Sequence, residues 1–141
     1  MGDIKAFMRP PVAGETKEVY ISKRFTDDEG KPVPFVIRAI DQDTNDSIVR
    51  KCTTKKTRNG VVVQEIDQER LSRMLVVACT VEPNFRDTSL CEYYKTVDPL
   101  DVPGRMLSVG EFGRLSRAIT EFNGIMDEGD FAEAMEEAKN L

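Results

Sequence analysis

A chain of 141 residues, 40% apolar and 32% charged, can bury one hydrophobic core without disulfide or metal staples and is too apolar to stay disordered. Its net charge of −5 comes from interleaved acidic and basic residues, with no Lys/Arg stripe long enough to neutralise a nucleic-acid backbone. No apolar run approaches the roughly 18 residues of a membrane span, and the longest, around Met74–Val81, has the length of a core element.

The opening MGDIKAFMRPPV lacks a charged region followed by an apolar stretch and a small-residue cleavage site, so no secretory signal is expected. A myristoylation motif would want Ser or Thr where Ala6 stands. Residues 1–16 read as an arm, because Pro10-Pro11 forbids a continuous helix and Gly14 adds freedom. Ile4, Phe7 and Met8 sit at helical spacing ahead of the prolines; a short docked turn and a free tail are both open.

Residues 17–141 read as one α+β domain, β-rich over 17–66 and helical over 67–141. Val19, Ile21 and Phe25 alternate with polar neighbours, Asp27-Asp28-Glu29-Gly30 supplies turn chemistry, and Val33, Phe35, Ile37 and Ala39 resume the alternation. The pattern predicts a β-hairpin over 17–40, its second strand beginning at a sheet edge because Pro32 and Pro34 cannot donate ladder bonds. Asp41–Thr53 opens with helix-start residues and carries Ile48, Val49 and Cys52 as a short apolar stripe. Asn59-Gly60 between strand-like segments predicts a second antiparallel hairpin over about 53–66, since both central residues of a type I′ turn need φ > 0. Lys55, Lys56 and Arg58 then read as its solvated edge.

Asp67 is placed to cap a helix carrying Leu71, Met74, Leu75, Ala78 and Val81 at helical spacing. Val76, Val77 and Cys79 fill its other faces, which predicts a central buried helix running to Pro83. A shorter helix over Asp87–Lys95 is expected to turn Leu90, Tyr94 and Val97 inward, and Asp98–Arg105, with Pro99, Pro103 and Gly104, to form at most one turn. Ser108-Val109-Gly110-Glu111 is a capping box opening a helix with Phe112, Leu115, Ile119 and Phe122 on one face, closed by Gly124. Asp130 and Glu133 repeat the cap pattern ahead of a last short acidic helix, with Phe131, Ala134, Met135 and Ala138 as its stripe.

Catalytic chemistry finds little support. The chain has no histidine, which removes the usual proton shuttle and the commonest metal ligand. Asp41-Gln42-Asp43-Thr44-Asn45 starts like a calcium loop, but Asp46 and Cys52 stand where a Gly and a bidentate Glu belong, so helix capping is the better reading. Cys52, Cys79 and Cys91 have neither zinc spacing nor a disulfide pattern and read as small buried hydrophobes in a reducing compartment. No phosphate-binding Gly-Lys-Ser/Thr occurs, and no cofactor or metal is expected.

Several segments together carry a family resemblance. They are Ser22-Lys23-Arg24-Phe25 before the acidic turn and Lys31-Pro32-Val33-Pro34-Phe35, then Leu75–Cys79 leading into Val81-Glu82-Pro83-Asn84-Phe85. Leu90-Cys91-Glu92-Tyr93-Tyr94, Met106–Phe112 and Glu121-Phe122-Asn123-Gly124 complete the set. In this order and spacing the chain resembles the XkdN-like tail assembly chaperones of long-tailed phages and prophages, over about residues 17–141. One departure is the Pro99–Gly104 segment, where relatives tend to have a charged helical stretch.

The resemblance implies a non-catalytic protein of the bacterial host's cytoplasm that binds the tape measure protein and keeps it soluble. It implies help for tail tube polymerisation, absence from the mature virion, and a longer second product made by programmed frameshift. Contact with the tail tube protein and self-association are both left open. A structural tail component, as a tube or adaptor subunit, is the alternative. Phe7 and Met8 on the arm, and Phe131, Met135 and Ala138 near the end, are candidate partner-binding residues, unless they dock on the protein's own core. The terminal Ala138-Lys139-Asn140 admits codons that form a slippery run.

Overall fold

The computed structural model describes residues 3–125 together with 136, 137, 139 and 140. After one exposed 3-10 turn at Ile4–Phe7, strand β1 (Thr16–Val19) pairs antiparallel with β2 (Phe35–Arg38), in the register Thr16↔Arg38 to Val19↔Phe35. The first expected hairpin is therefore present, but with shorter strands. Continuing the register would set Tyr20 against Pro34, whose missing N–H ends the ladder. Ile21 is buried from a loop, while Val33, expected in the strand, precedes it and is exposed. Between the strands the acidic turn forms as the residues dictate: the Asp27 carboxylate accepts from the amides of Glu29 and Lys31, and Gly30 takes φ 80°.

Helix α1 (Gln42–Lys51) starts where Asp41 accepts from the Thr44 amide at 2.7 Å. Strands β3 (Thr53–Arg58) and β4 (Val61–Ile66) form the second hairpin as a separate two-stranded sheet. Asn59 and Gly60 hold φ 52° and 77°, the left-handed pair that a two-residue connection needs. Asp67 caps helix α2 (Gln68–Cys79).

Helix α2 departs from expectation in two ways. It stops at Cys79, and Thr80–Glu82 become strand β5, antiparallel on the free side of β2. β-Branched Thr80 and Val81 suit a strand, and Pro83 pushes its predecessor out of helical geometry. The addition makes β2 the middle strand of a β1-β2-β5 sheet, not the edge, with Pro32 and Pro34 lying outside its ladder. The fully buried face of α2 carries Val76, Val77 and Cys79, whereas Leu71, Met74, Leu75 and Ala78 are only half-buried and Val81 is exposed.

Helix α3 (Thr88–Tyr93), capped by Asp87, ends in a Schellman turn with Lys95 at φ 58°. The Thr96 amide bonds the Cys91 carbonyl and the Lys95 amide that of Glu92. That reversal sends Val97 out to full exposure, against the expected inward placing, while Leu90 and Tyr94 do pack on the core. The segment 98–105 holds more helix than expected: a 3-10 turn at Pro99–Asp101 runs into α4 (Val102–Met106). Both prolines stand in a first turn, where a missing N–H costs nothing, and Val102 and Pro103 are fully buried.

Helix α5 (Val109–Phe122) begins at the full Ser108/Glu111 capping box and ends in a Schellman turn through Gly124 at φ 70°. It packs on α2 and β2, closing a core that includes Phe35, Ile37, Val76, Phe85, Leu115 and Ile119. Asn123 fastens the end of α5 to the sheet. Its Oδ1 accepts from the Ile40 amide at 2.9 Å, and its Nδ2 donates to the carbonyls of Arg38 and Ile119. Asn123→Ala is expected to cost about 1–3 kcal/mol by orphaning these groups, measured by urea unfolding at unchanged m-value. A loss within experimental error would show the tie to be dispensable.

Candidate partner-binding surface

All three thiols are free and buried; burial pushes Cys79 up to about 11 and raises Cys52 as well, leaving both protonated and unreactive near neutrality. The Asp41 carboxylate, read as a cap, is used as one, and its bond from Thr44 holds it below the ordinary range. Among the described residues no three His, Cys, Asp or Glu groups gather as a metal site.

A cleft of about 720 Å³ lies between α1, the end of α2, β5 and the turn at Leu100. Ile48, Met74, Val77, Ala78, Val81 and Leu100 give it apolar walls. Arg38, Lys51 and Arg86 stand among its lining on one charge, Asp41 and Asp43 on the other. The Arg38 guanidinium is held at the cleft by its Nε, which donates to the Ala78 carbonyl at 2.8 Å. Apolar walls with a charged rim suit an amphipathic helix, whose stripe is buried while its flanks stay hydrated.

Met74, Ala78 and Val81 belong to the stripe that the sequence assigns to the core. Helix α2 is apolar nearly all round because one side faces the core and the other this cleft. That surplus is the one sequence signal that could have found the site. The remaining wall residues come from segments between Arg38 and Leu100 that no local pattern joins.

The candidate residues fall elsewhere. Phe7 and Met8 lie on the arm, 77% and 67% exposed, beside exposed Ile4 and Val12, and none of the four lines the cleft. Phe131, Met135 and Ala138 lie outside the described residues; of the last expected helix Glu136, Glu137 and Lys139 are described, and they are helical.

The model of the phage XkdN-like tail assembly chaperone proteins matches residues 4–139. The chain belongs to this family. It is 40% identical to the Bacillus subtilis uncharacterized protein YqbN over 98% of the chain and 93% of the relative. It is 36% identical to the phage-like element PBSX protein XkdN of the same organism, over 98% and 94%. The crystal structure of YqbN superposes with a TM-score of 0.73 at 38% identity, covering 90% of this chain and 99% of that one. The tail assembly chaperone match extends to residue 4, taking in the arm that the resemblance had left out.

The segments that carry the family resemblance have internal structural roles. Arg24 donates from Nε and Nη2 to the Glu111 carboxylate, at 2.9 and 2.7 Å, and from Nη2 to the Met106 carbonyl. Asn84 accepts from the Arg86 amide, Phe85 fills the core, and Asn123 ties α5 to the sheet. These contacts hold the scaffold, and Val77, Ala78 and Val81 of the same segments line the cleft.

Proposed function

We propose that this tail assembly chaperone binds the tape measure protein through the cleft between α1 and β5, in the cytoplasm of the host, and acts without catalysis. The observation that carries the reading is the apolar-walled, charge-rimmed cleft on a member of a tail-chaperone family. A tape measure protein is long and helical and exposes apolar stripes until the tube encases it. Covering those stripes keeps it soluble, and releasing them as tube subunits polymerise leaves the chaperone outside the finished virion. The exposed arm with Phe7 and Met8 would extend the contact beyond the cleft, and Phe131, Met135 and Ala138 are assigned the same role from sequence.

Co-expression tests this. A co-expressed tape measure protein should stay soluble and co-purify with the native chain, and lose both with Val81→Glu. Val81 is 40% exposed, so the charge enters the cleft without entering the core. Equal rescue by the variant would remove the cleft from the account.

The gene is also proposed to yield a longer product by backward slippage at Ala138-Lys139-Asn140. The expected codons form an A-AAA-AAY run, with a frameshifted protein visible by mass spectrometry in infected or induced cells. An AAG codon at Lys139 ends that version of the idea. The alternative, a structural tail subunit, predicts the chain as a stoichiometric band in purified particles, where a chaperone is missing.

A further inference from the structure

The β3–β4 hairpin stands apart from the core sheet, packs only sparsely on the other described residues, and is exposed along most of its length. A lone two-stranded ribbon is marginal in water, and a sheet of three or more strands is not. The ladder fixes which groups remain free. The Asp67 amide bonds the Cys52 carbonyl, extending the pairing of Arg58↔Val61 and Lys56↔Val63. In an antiparallel pair the bonded residues alternate, so Val61, Val63 and Glu65 spend their backbone groups on β3. Val62, Gln64 and Ile66 turn theirs to the open edge of β4.

The two edges differ. β3 carries Lys55, Lys56 and Arg58, the usual protection of an open strand, and Lys56 and Arg58 pair with Glu65 at 3.3 and 2.7 Å. β4 has no proline, lysine or bulge, and its Val61 and Val62 are 62% and 64% exposed. We propose that β4 pairs antiparallel with β4 of a second copy, giving a four-stranded sheet across a two-fold axis through Val62.

This arrangement sets Val62 against the other Val62 and each Val61 against the other chain's Val63, apolar cross-strand pairs in place of solvated ones. It also selects the edge by charge. The two β3 strands end up three strand spacings apart, about 14 Å, with their cations separated by more than the roughly 8 Å screening length of physiological salt. Pairing through β3 would bring the same cations within one spacing.

Sedimentation of the full chain over a wide concentration range tests the proposal. A reversible dimer is expected, with Val62→Pro weakening it by roughly 30-fold or more, since two inter-chain hydrogen bonds and a valine pair go together. Proline at 62 removes only an outward N–H, so the hairpin itself persists. Thr57→Pro, its counterpart on the outer edge of β3, should leave the dimer intact. Val62→Lys provides a second disruption by setting two ammonium groups face to face, should the proline variant fail to fold. In the native chain the Val62 amide should gain hydrogen-exchange protection as concentration rises. A monomer at every concentration, a dimer indifferent to both Val62 variants, or protection of this amide only when a tail protein is added would each overturn the proposal. None of those outcomes touches the cleft.

Discussion

Phe85→Ala is expected to lower the unfolding free energy by about 3–5 kcal/mol. Phe85 heads the fully buried side chains at 0% exposure. It sits between β5 and α3, whose start Asp87 caps. Its carbonyl accepts from the Cys91 thiol at 3.4 Å and the preceding Asn84 closes the turn, so the backbone is held on both sides and cannot easily collapse into the vacated space. For a domain whose whole stability is about 5–15 kcal/mol, that loss leaves a large unfolded fraction on mild urea treatment. A midpoint shift equivalent to less than about 1 kcal/mol would mean that the site refills, contrary to the close packing assigned to it.

Glu111→Ala is the second large loss, expected at about 2–4 kcal/mol from a cap and charge-assisted hydrogen bonds removed together. The Glu111 side chain is 5% exposed, accepts from Arg24 at 2.7 and 2.9 Å and from the Ser108 amide at 2.8 Å, and thereby joins the loop after β1 to the start of α5. The Arg24 guanidinium also lies 4.4 Å over the Phe25 ring. The hydrogen bond from Arg24, then that from Ser108, holds the carboxyl well below its ordinary value of 4.5. A depressed folded-state pKa means stability that is present above the ordinary value and lost as pH falls below it towards the folded one. Glu111→Gln keeps the shape and cannot titrate. Its deficit against the native chain should therefore be constant from neutrality to about pH 5 and narrow in stronger acid. A deficit that grows on acidification would contradict the ion pair.

What was legible in the sequence were the features written in neighbouring residues. Asp41, Asp67, Asp87 and Ser108 each cap the helix that follows, and Asn59-Gly60 makes its turn. These depend on three or four residues and need no knowledge of the rest of the chain. Strand β5 was not legible, because Thr80–Glu82 continue an apolar helical period and become a strand only when the open side of β2 is there to pair. Val97 kept an inward spacing that the left-handed turn at Lys95 cancels.

The ion pair between Arg24 and Glu111 spans 87 positions, and no local pattern relates the two. The cleft was hidden for the same reason: its walls come from α1, α2, β5 and the turn at Leu100, and its share of α2 looks like core. The resemblance segments hold the scaffold through Arg24, Glu111 and Asn123 and also reach the cleft, where Val77, Ala78 and Val81 stand in its walls.

A photo-crosslinking amino acid placed at Val81, on the exposed rim of the cleft, puts that surface directly to the test during tail assembly. The account predicts one dominant adduct, with the long tape measure protein, that disappears once tubes are complete. Crosslinks to the tube protein alone, or none from position 81 while position 7 reacts, would contradict it.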